Sequence, residues 1–101
     1  MRDEGLFGSA LERARMRWTY KPESSIPELA ACYGFGLTKN HAMLDGNKRL
    51  AFLAIGIFLR ANGYRLNADR AEAVVVMEDL AAGRIGEGEL TVWIQNHVVA
   101  A

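Results

Sequence analysis

Apolar positions recur at helical spacing along nearly all of the chain. Leu6, Phe7, Ala10, Leu11, Ala14 and Trp18 fall on one face of a first predicted helix, with Arg13, Arg15 and Arg17 mostly on its other sides. Lys21 to Pro27 reads as a loop carrying both prolines. Within it, Ser25 followed three residues later by Glu28 is a capping-box pattern, and Pro27 between them sits where a first-turn proline is tolerated. The second helix then runs through Leu29, Ala30, Tyr33 and Leu37 and fades near Asn40. A third begins near Asn47 and is apolar on every side, through Leu50, Ala51, Phe52, Leu53, Ala54, Ile55, Ile57, Phe58 and Leu59. A surface helix keeps a polar stripe, so this pattern predicts a buried central helix. Asn62-Gly63 is a stop signal. Tyr64-Arg65-Leu66 suits a short extended stretch, and Asn67 is a candidate cap for a fourth helix with Ala71, Val74, Val75, Met77 and Leu80. Gly83 ends that helix, and a fifth starts near Glu89, presenting Leu90, Trp93, Ile94 and Val98. With no repeat, linker or low-complexity tract, the pattern predicts one all-α domain over residues 1–101, a compact helical bundle.

Composition agrees with that picture and narrows the function. The chain has 101 residues, 50% hydrophobic and 24% charged, which is globular rather than disordered. Twelve basic residues balance twelve acidic ones, so no net field attracts nucleic acid or anionic lipid, and any basic site must be local. The single cysteine, Cys32, has no partner within the chain and suits a reducing compartment; it reads as a small packed residue. The start, Met1-Arg2-Asp3-Glu4-Gly5, has no apolar signal region, and the apolar run of the third helix is about ten residues against the ~20 that span a bilayer. A cytoplasmic location with no membrane partner is the expectation. Arg13, Arg15 and Arg17 beside Trp18 and Tyr20 form a weak nucleic-acid pattern. Their spacing scatters them round a helix, so a solvated face is expected and no direct nucleic-acid binding. His97 has no companion ligands near it in sequence, so metal binding there is not expected.

The stretch from His41 to Arg49, reading His41-Ala42-Met43-Leu44-Asp45-Gly46-Asn47-Lys48-Arg49, carries the candidate chemistry. First turns of helices favour acidic residues, because free N–H groups and the macrodipole make that end positive. Here two cations, Lys48 and Arg49, stand at that end, which is unfavourable unless an anion answers them. A phosphate bound there accepts hydrogen bonds from loop N–H groups and both side chains. Gly46 permits a positive φ and close approach of backbone to a ligand. Asp45 is one carboxylate beside the proposed phosphates, and Mg²⁺ binds through one or two carboxylates plus phosphate oxygens. His41, with an ordinary pKa of about 6.5, suits a general base. Together these residues suggest transfer from a nucleotide to a hydroxyl.

The motif His-x-x-x-Asp-x-Asn-Lys-Arg, followed by an apolar helix ending in Asn-Gly, resembles the Doc (death-on-curing) toxins of the Fic/Doc family. The resemblance extends over essentially the whole chain, including the opening Arg2-Asp3-Glu4-Gly5. It implies a Fic/Doc-type fold and transfer of a phosphoryl group from ATP to a threonine of elongation factor EF-Tu, stopping translation. It implies His41 as the catalytic base and Asp45 as the Mg²⁺ ligand. Gly46, Asn47, Lys48 and Arg49 would hold the nucleotide phosphates. A cognate, Phd-like antitoxin is the implied partner.

Members that transfer AMP usually have glycine where Lys48 stands and a second arginine at the position of Phe52, so phosphoryl transfer is favoured over AMP transfer by the same loop. A third reading is a catalytically silent nucleotide- or partner-binding module, since Met43 stands where the family commonly has phenylalanine. Doc-like proteins also usually carry about one further helix before the segment resembling Arg2 to Gly5. Its lack here implies an uncovered apolar face and a homo-oligomer or a partner to cover it.

Overall fold

The helix at the centre of the molecule is the one richest in small residues. The computed structural model describes residues 3–39 and 45–101, with side chains described for 10–38 and 49–101. Five helices follow one another, α1 (Asp3–Tyr20), α2 (Ile26–Lys39), α3 (Asp45–Ala61), α4 (Arg70–Ala82) and α5 (Glu87–His97). Two three-residue strands, β1 (Tyr64–Leu66) and β2 (Val98–Ala100), pair antiparallel with Arg65 opposite Val99. The all-α expectation therefore holds, with Tyr64–Leu66 extended as anticipated.

α2 packs against α1, α3 and α5 and touches α4. It can take so many neighbours because Ala30, Ala31, Cys32, Gly34 and Gly36 keep its surface close to the axis. The Ser25 hydroxyl accepts from the Glu28 amide at 3.2 Å, so the predicted cap starts the helix. A Cβ added at Gly34 would stand 2.5 Å from Ile55 Cδ1, and one at Gly36 would stand 3.4 Å from Ala10 Cβ. Each glycine thus seats a crossing helix, α3 at Gly34 and α1 at Gly36. The fully buried large side chains Leu37, Ile55, Leu59, Leu80, Leu90 and Ile94 close the core around this axis.

The structure corrects several details of the sequence reading. α3 is not enclosed on all sides: Ala51, Ala54, Ile55 and Leu59 are buried, but Leu53 is 58% exposed and Ile57 65%. Periodicity cannot distinguish a helix enclosed by its own chain from one with an uncovered apolar face. On α4, Ala73, Met77 and Leu80 are buried, while Val74 and Val75 are half exposed. Asp69 caps that helix, its Oδ2 accepting from the Glu72 amide at 3.2 Å, in place of Asn67. Asn67 is committed elsewhere, its backbone N–H donating to the His97 carbonyl at 2.7 Å as the strand pairing runs on. Gly63 and Gly83 take φ of 88° and 81°, the left-handed stops expected of them.

Arg13 departs furthest from expectation, turning inward rather than into solvent. Its guanidinium donates to the Cys32 carbonyl at 3.1 Å, to Cys32 Sγ at 3.0 Å and to Glu87 Oε1 at 2.9 Å, and lies over the Phe35 ring. Arg17 reaches the other Glu87 oxygen at 3.2 Å, and Glu28 sits 3.6 Å from both Arg17 and Lys21. The basic stripe of α1 is therefore answered by acids of α2 and α5. Cys32 is packed as anticipated, and burial pushes its thiol up from its ordinary pKa, with the nearby Arg13 offsetting only part of that.

Two predictions follow from this packing. Gly34→Ala forces a fully buried isoleucine to shift, and overpacking costs about 1–3 kcal/mol against the roughly 1 kcal/mol gained in helix propensity. It should lower the melting temperature, whereas Gly88→Ala, where a Cβ meets nothing within 4 Å, should leave it unchanged or raise it. The Cys32 thiol should resist alkylation in the native protein at mildly alkaline pH and react once denaturant is added. Because its folded pKa is raised, its contribution to stability is complete below the ordinary thiol pKa and is lost as pH rises above it. Cys32→Ala should remove that part of the alkaline decline in a denaturant titration.

Candidate functional site

Of the six residues singled out in the sequence, Asp45, Gly46, Asn47 and Lys48 are placed by their backbone, Arg49 by its side chain as well, and His41 lies outside the described residues. α3 is anchored by Ala51, Ile55 and Leu59, all fully buried, with Ile55 resting on Gly34 of α2. The helix starts at Asp45, two residues earlier than the pattern suggested. Asp45, Gly46, Asn47 and Lys48 are the first four residues of the helix, and their backbone N–H groups have no helical acceptor among the described residues. Gly46 has helical backbone, so the positive φ its residue type allows is not used.

Arg49 follows directly, is exposed, and has no hydrogen bond or ion pair with any described residue. Helical register sets position 49 one turn beyond 45, and position 52 one turn beyond 48. Phe52 is partly buried and packs against the core. His41, Ala42, Met43 and Leu44 lie outside the described residues. The helix thus presents an anion-favouring end, an acidic residue at its first position and, one turn on, a guanidinium with no partner among the described residues.

Two further features were not visible as sites in the sequence. His97, expected to stand alone, donates from Nδ1 to the Trp93 carbonyl at 2.7 Å, lies tilted against the Trp93 ring and sits with Nε2 3.6 Å from Glu72 Oε1. A carbonyl only accepts, so Nδ1 carries the proton in that bond. Glu72 also accepts from Trp93 Nε1 at 3.2 Å, which joins α4 to α5. Among the described residues no group of three or more His, Cys, Asp or Glu could hold a metal. The second feature is on α3 itself, where two shallow grooves of about 600 and 330 Å³ flank the exposed row Leu53, Ile57 and Ala61. The signal for it was the helix's apolar character on every side. No helix among the described residues is long and apolar enough to cross a membrane.

Comparison with known proteins bears on the same stretch. The chain is similar to Toxin Doc of Mycolicibacterium smegmatis (strain ATCC 700084 / mc(2)155), with 42% identity over 72 residues, covering 68% of this chain and 54% of that toxin. The chain thus spans about half the length of the curated relative it matches. A family model described as Fic/DOC matches residues 1–59, from the start of the chain through the whole motif and nearly all of α3. Since that match takes in more than half of the 101 residues and every position from His41 to Arg49, the chain belongs to the Fic/DOC family.

Proposed function

We propose that this chain is the toxin of a toxin–antitoxin pair and that the segment His41 to Arg49 transfers a phosphoryl group from ATP to a protein hydroxyl. A threonine of EF-Tu is the expected target, and arrest of translation the result. The single observation that supports this most directly is the register of the motif on α3. Two cations, Lys48 and Arg49, stand in the first turn and a half of the helix, and Arg49 is exposed without a partner among the described residues. Such an end is stabilised by an anion. The naming of the Mycolicibacterium relative as a toxin supports the same reading.

The donor set fits a magnesium nucleotide. Amides from Gly46 onward, with Asn47, Lys48 and Arg49, would hold the phosphates, and Asp45 would hold Mg²⁺ by its carboxylate. When bound, ATP supplies a phosphorus that exchanges its bond to the ADP oxygen for one to the acceptor oxygen, and Mg²⁺ supplies charge that offsets the phosphates. His41 takes the acceptor's hydroxyl proton as general base. Lys48 and Arg49 hold the phosphates in line and stabilise the charge spread over them, which is most of what phosphoryl transfer requires. Phosphoryl rather than AMP transfer is supported by Lys48, where AMP-transferring members usually have glycine. It is supported too by Phe52, which packs on the core where those members have a second arginine. A cognate Phd-like antitoxin completes the pair and silences the toxin.

The test uses ATP labelled on either the γ- or the α-phosphate, incubated with the protein, Mg²⁺ and a bacterial lysate. Label should enter a protein band from the γ position only, and His41→Ala should lower transfer by about 10²-fold or more. Label from the α position would make the protein an AMP transferase. Transfer from neither, with wild type and His41→Ala equally harmless to a host at matched expression, would make it a silent module.

A further inference from the structure

The turn that ends α3 holds an asparagine–glycine pair, and its hydrogen bonds decide how that pair ages. Asn62 is the one asparagine of the chain followed by glycine; Asn40, Asn47, Asn67 and Asn96 precede His41, Lys48, Ala68 and His97. Glycine has no Cβ, so its backbone nitrogen can approach the side chain before it. The reaction this permits balances with water alone. A base takes the Gly63 amide proton, and the Gly63 nitrogen attacks Asn62 Cγ. That N–C bond forms, the Cγ–Nδ2 bond breaks, and Nδ2 leaves as ammonia. Water then opens the ring at either carbonyl, giving aspartate or isoaspartate at position 62.

The folded turn engages both reacting groups elsewhere. Asn62 Nδ2 donates to the Phe58 carbonyl at 2.8 Å, which ties the amide back along the helix. The Gly63 N–H donates to the Arg60 carbonyl at 3.2 Å, so the proton that must leave is already held. The Asn62 N–H donates to the Leu59 carbonyl at 3.0 Å. Beyond the pair, Gly63 takes a left-handed φ of 88°, and its carbonyl accepts from the Ala101 N–H at 3.0 Å as the pairing of Tyr64 with Ala100 runs on. Ring closure has to break the bonds to Phe58 and Arg60 and turn a peptide that is gripped on both sides. We propose that Asn62 is a latent modification site, a spontaneous deamidation site that the last turn of α3 keeps in its amide form. The product undoes the guard. An aspartate offers no proton to the Phe58 carbonyl at neutral pH and sets negative charge at the negative end of α3. An isoaspartate adds a carbon to the main chain ahead of Gly63, which displaces the left-handed stop and the register of β1 on β2. A molecule in which this turn opens and reacts is altered irreversibly.

Peptide mapping by mass spectrometry, on the full chain held at mildly alkaline pH, reads the exchange of NH for O at each asparagine over time. In denaturant, position 62 should convert well ahead of the other asparagines. The folded protein should convert there about tenfold more slowly or slower still. Urea below the unfolding transition should leave the folded rate unchanged, because opening one turn exposes little surface. No preference for position 62 in denaturant overturns the site, and equal rates in folded and denatured protein overturn the guard. A folded rate that climbs with urea from the start assigns the protection to the whole fold and overturns the role of the turn. Asn62→Asp mimics the product, and at neutral pH it should melt below Asn62→Ala. The gap should close below the ordinary carboxylate pKa of about 4, where a protonated side chain can donate to Phe58 again. Two variants that melt alike at neutral pH overturn the claim that the product undoes the guard.

Discussion

Where α3 crosses α2, the side chain of Ile55 occupies the space in which any residue but glycine at position 34 would carry its Cβ. This close approach fixes more than one contact. It lets the two backbones come near enough for Ala51, Ala54 and Leu59 to be buried in the same seam. It sets the direction in which α3 leaves that seam, and therefore where its first turn, with Asp45 to Arg49, lies relative to the end of α2. It also determines which rows of α3 point away from α2, so the exposed Leu53 and Ile57 follow from the same contact. Gly36 does the corresponding work for α1, through Ala10.

The polar counterpart is the cluster around Glu87. Its carboxylate meets Arg13 at 2.9 Å and Arg17 at 3.2 Å, joining the first helix to the fifth across the edge of α2. Glu87 is mostly buried, and Oε2 has no hydrogen-bond partner, so the charge of Arg17 answers it without an aligned N–H. Arg13 is about 40% exposed, which screens the pair and makes its value to stability modest. Its larger effect is on specificity: one guanidinium binds the Cys32 carbonyl, the Cys32 sulfur and Glu87 at once, and only one placement of α1 satisfies all three.

Much of this was legible in the residue order, and the limits have identifiable causes. The five helices, the extended stretch after Gly63 and the left-handed stops at Gly63 and Gly83 are local signals, and each was readable. The His41 to Arg49 motif was readable because its members are contiguous, whereas its three-dimensional arrangement depends on how α2 hands over to α3. What could not be read was which neighbour each helix meets. Arg13 and Glu87 are 74 positions apart, so nothing near either one announces the pair. Asn67 and Asp69 are both acceptable caps, and Asn67 is engaged at its backbone by His97, the last residue of α5 and 30 positions away. The central place of α2 rests on glycines and alanines, which carry almost no weight in a hydrophobic pattern yet decide how closely helices approach.

The position of α2 has a consequence for cooperativity. The family match ends within α3, at residue 59, but the helix on which that region is built does not have its surface covered there. Leu80, Leu90 and Ile94, all supplied by α4 and α5, complete the burial around α2, and Glu87 answers the arginines of α1. The β1–β2 pairing then returns the chain from α5 to the foot of α3. The stretch that bears the motif is therefore not a folding unit of its own: its core closes only when contacts far apart in sequence form together. Loosening α5 from α2 would be felt at the start of α3 without any residue of the motif having changed.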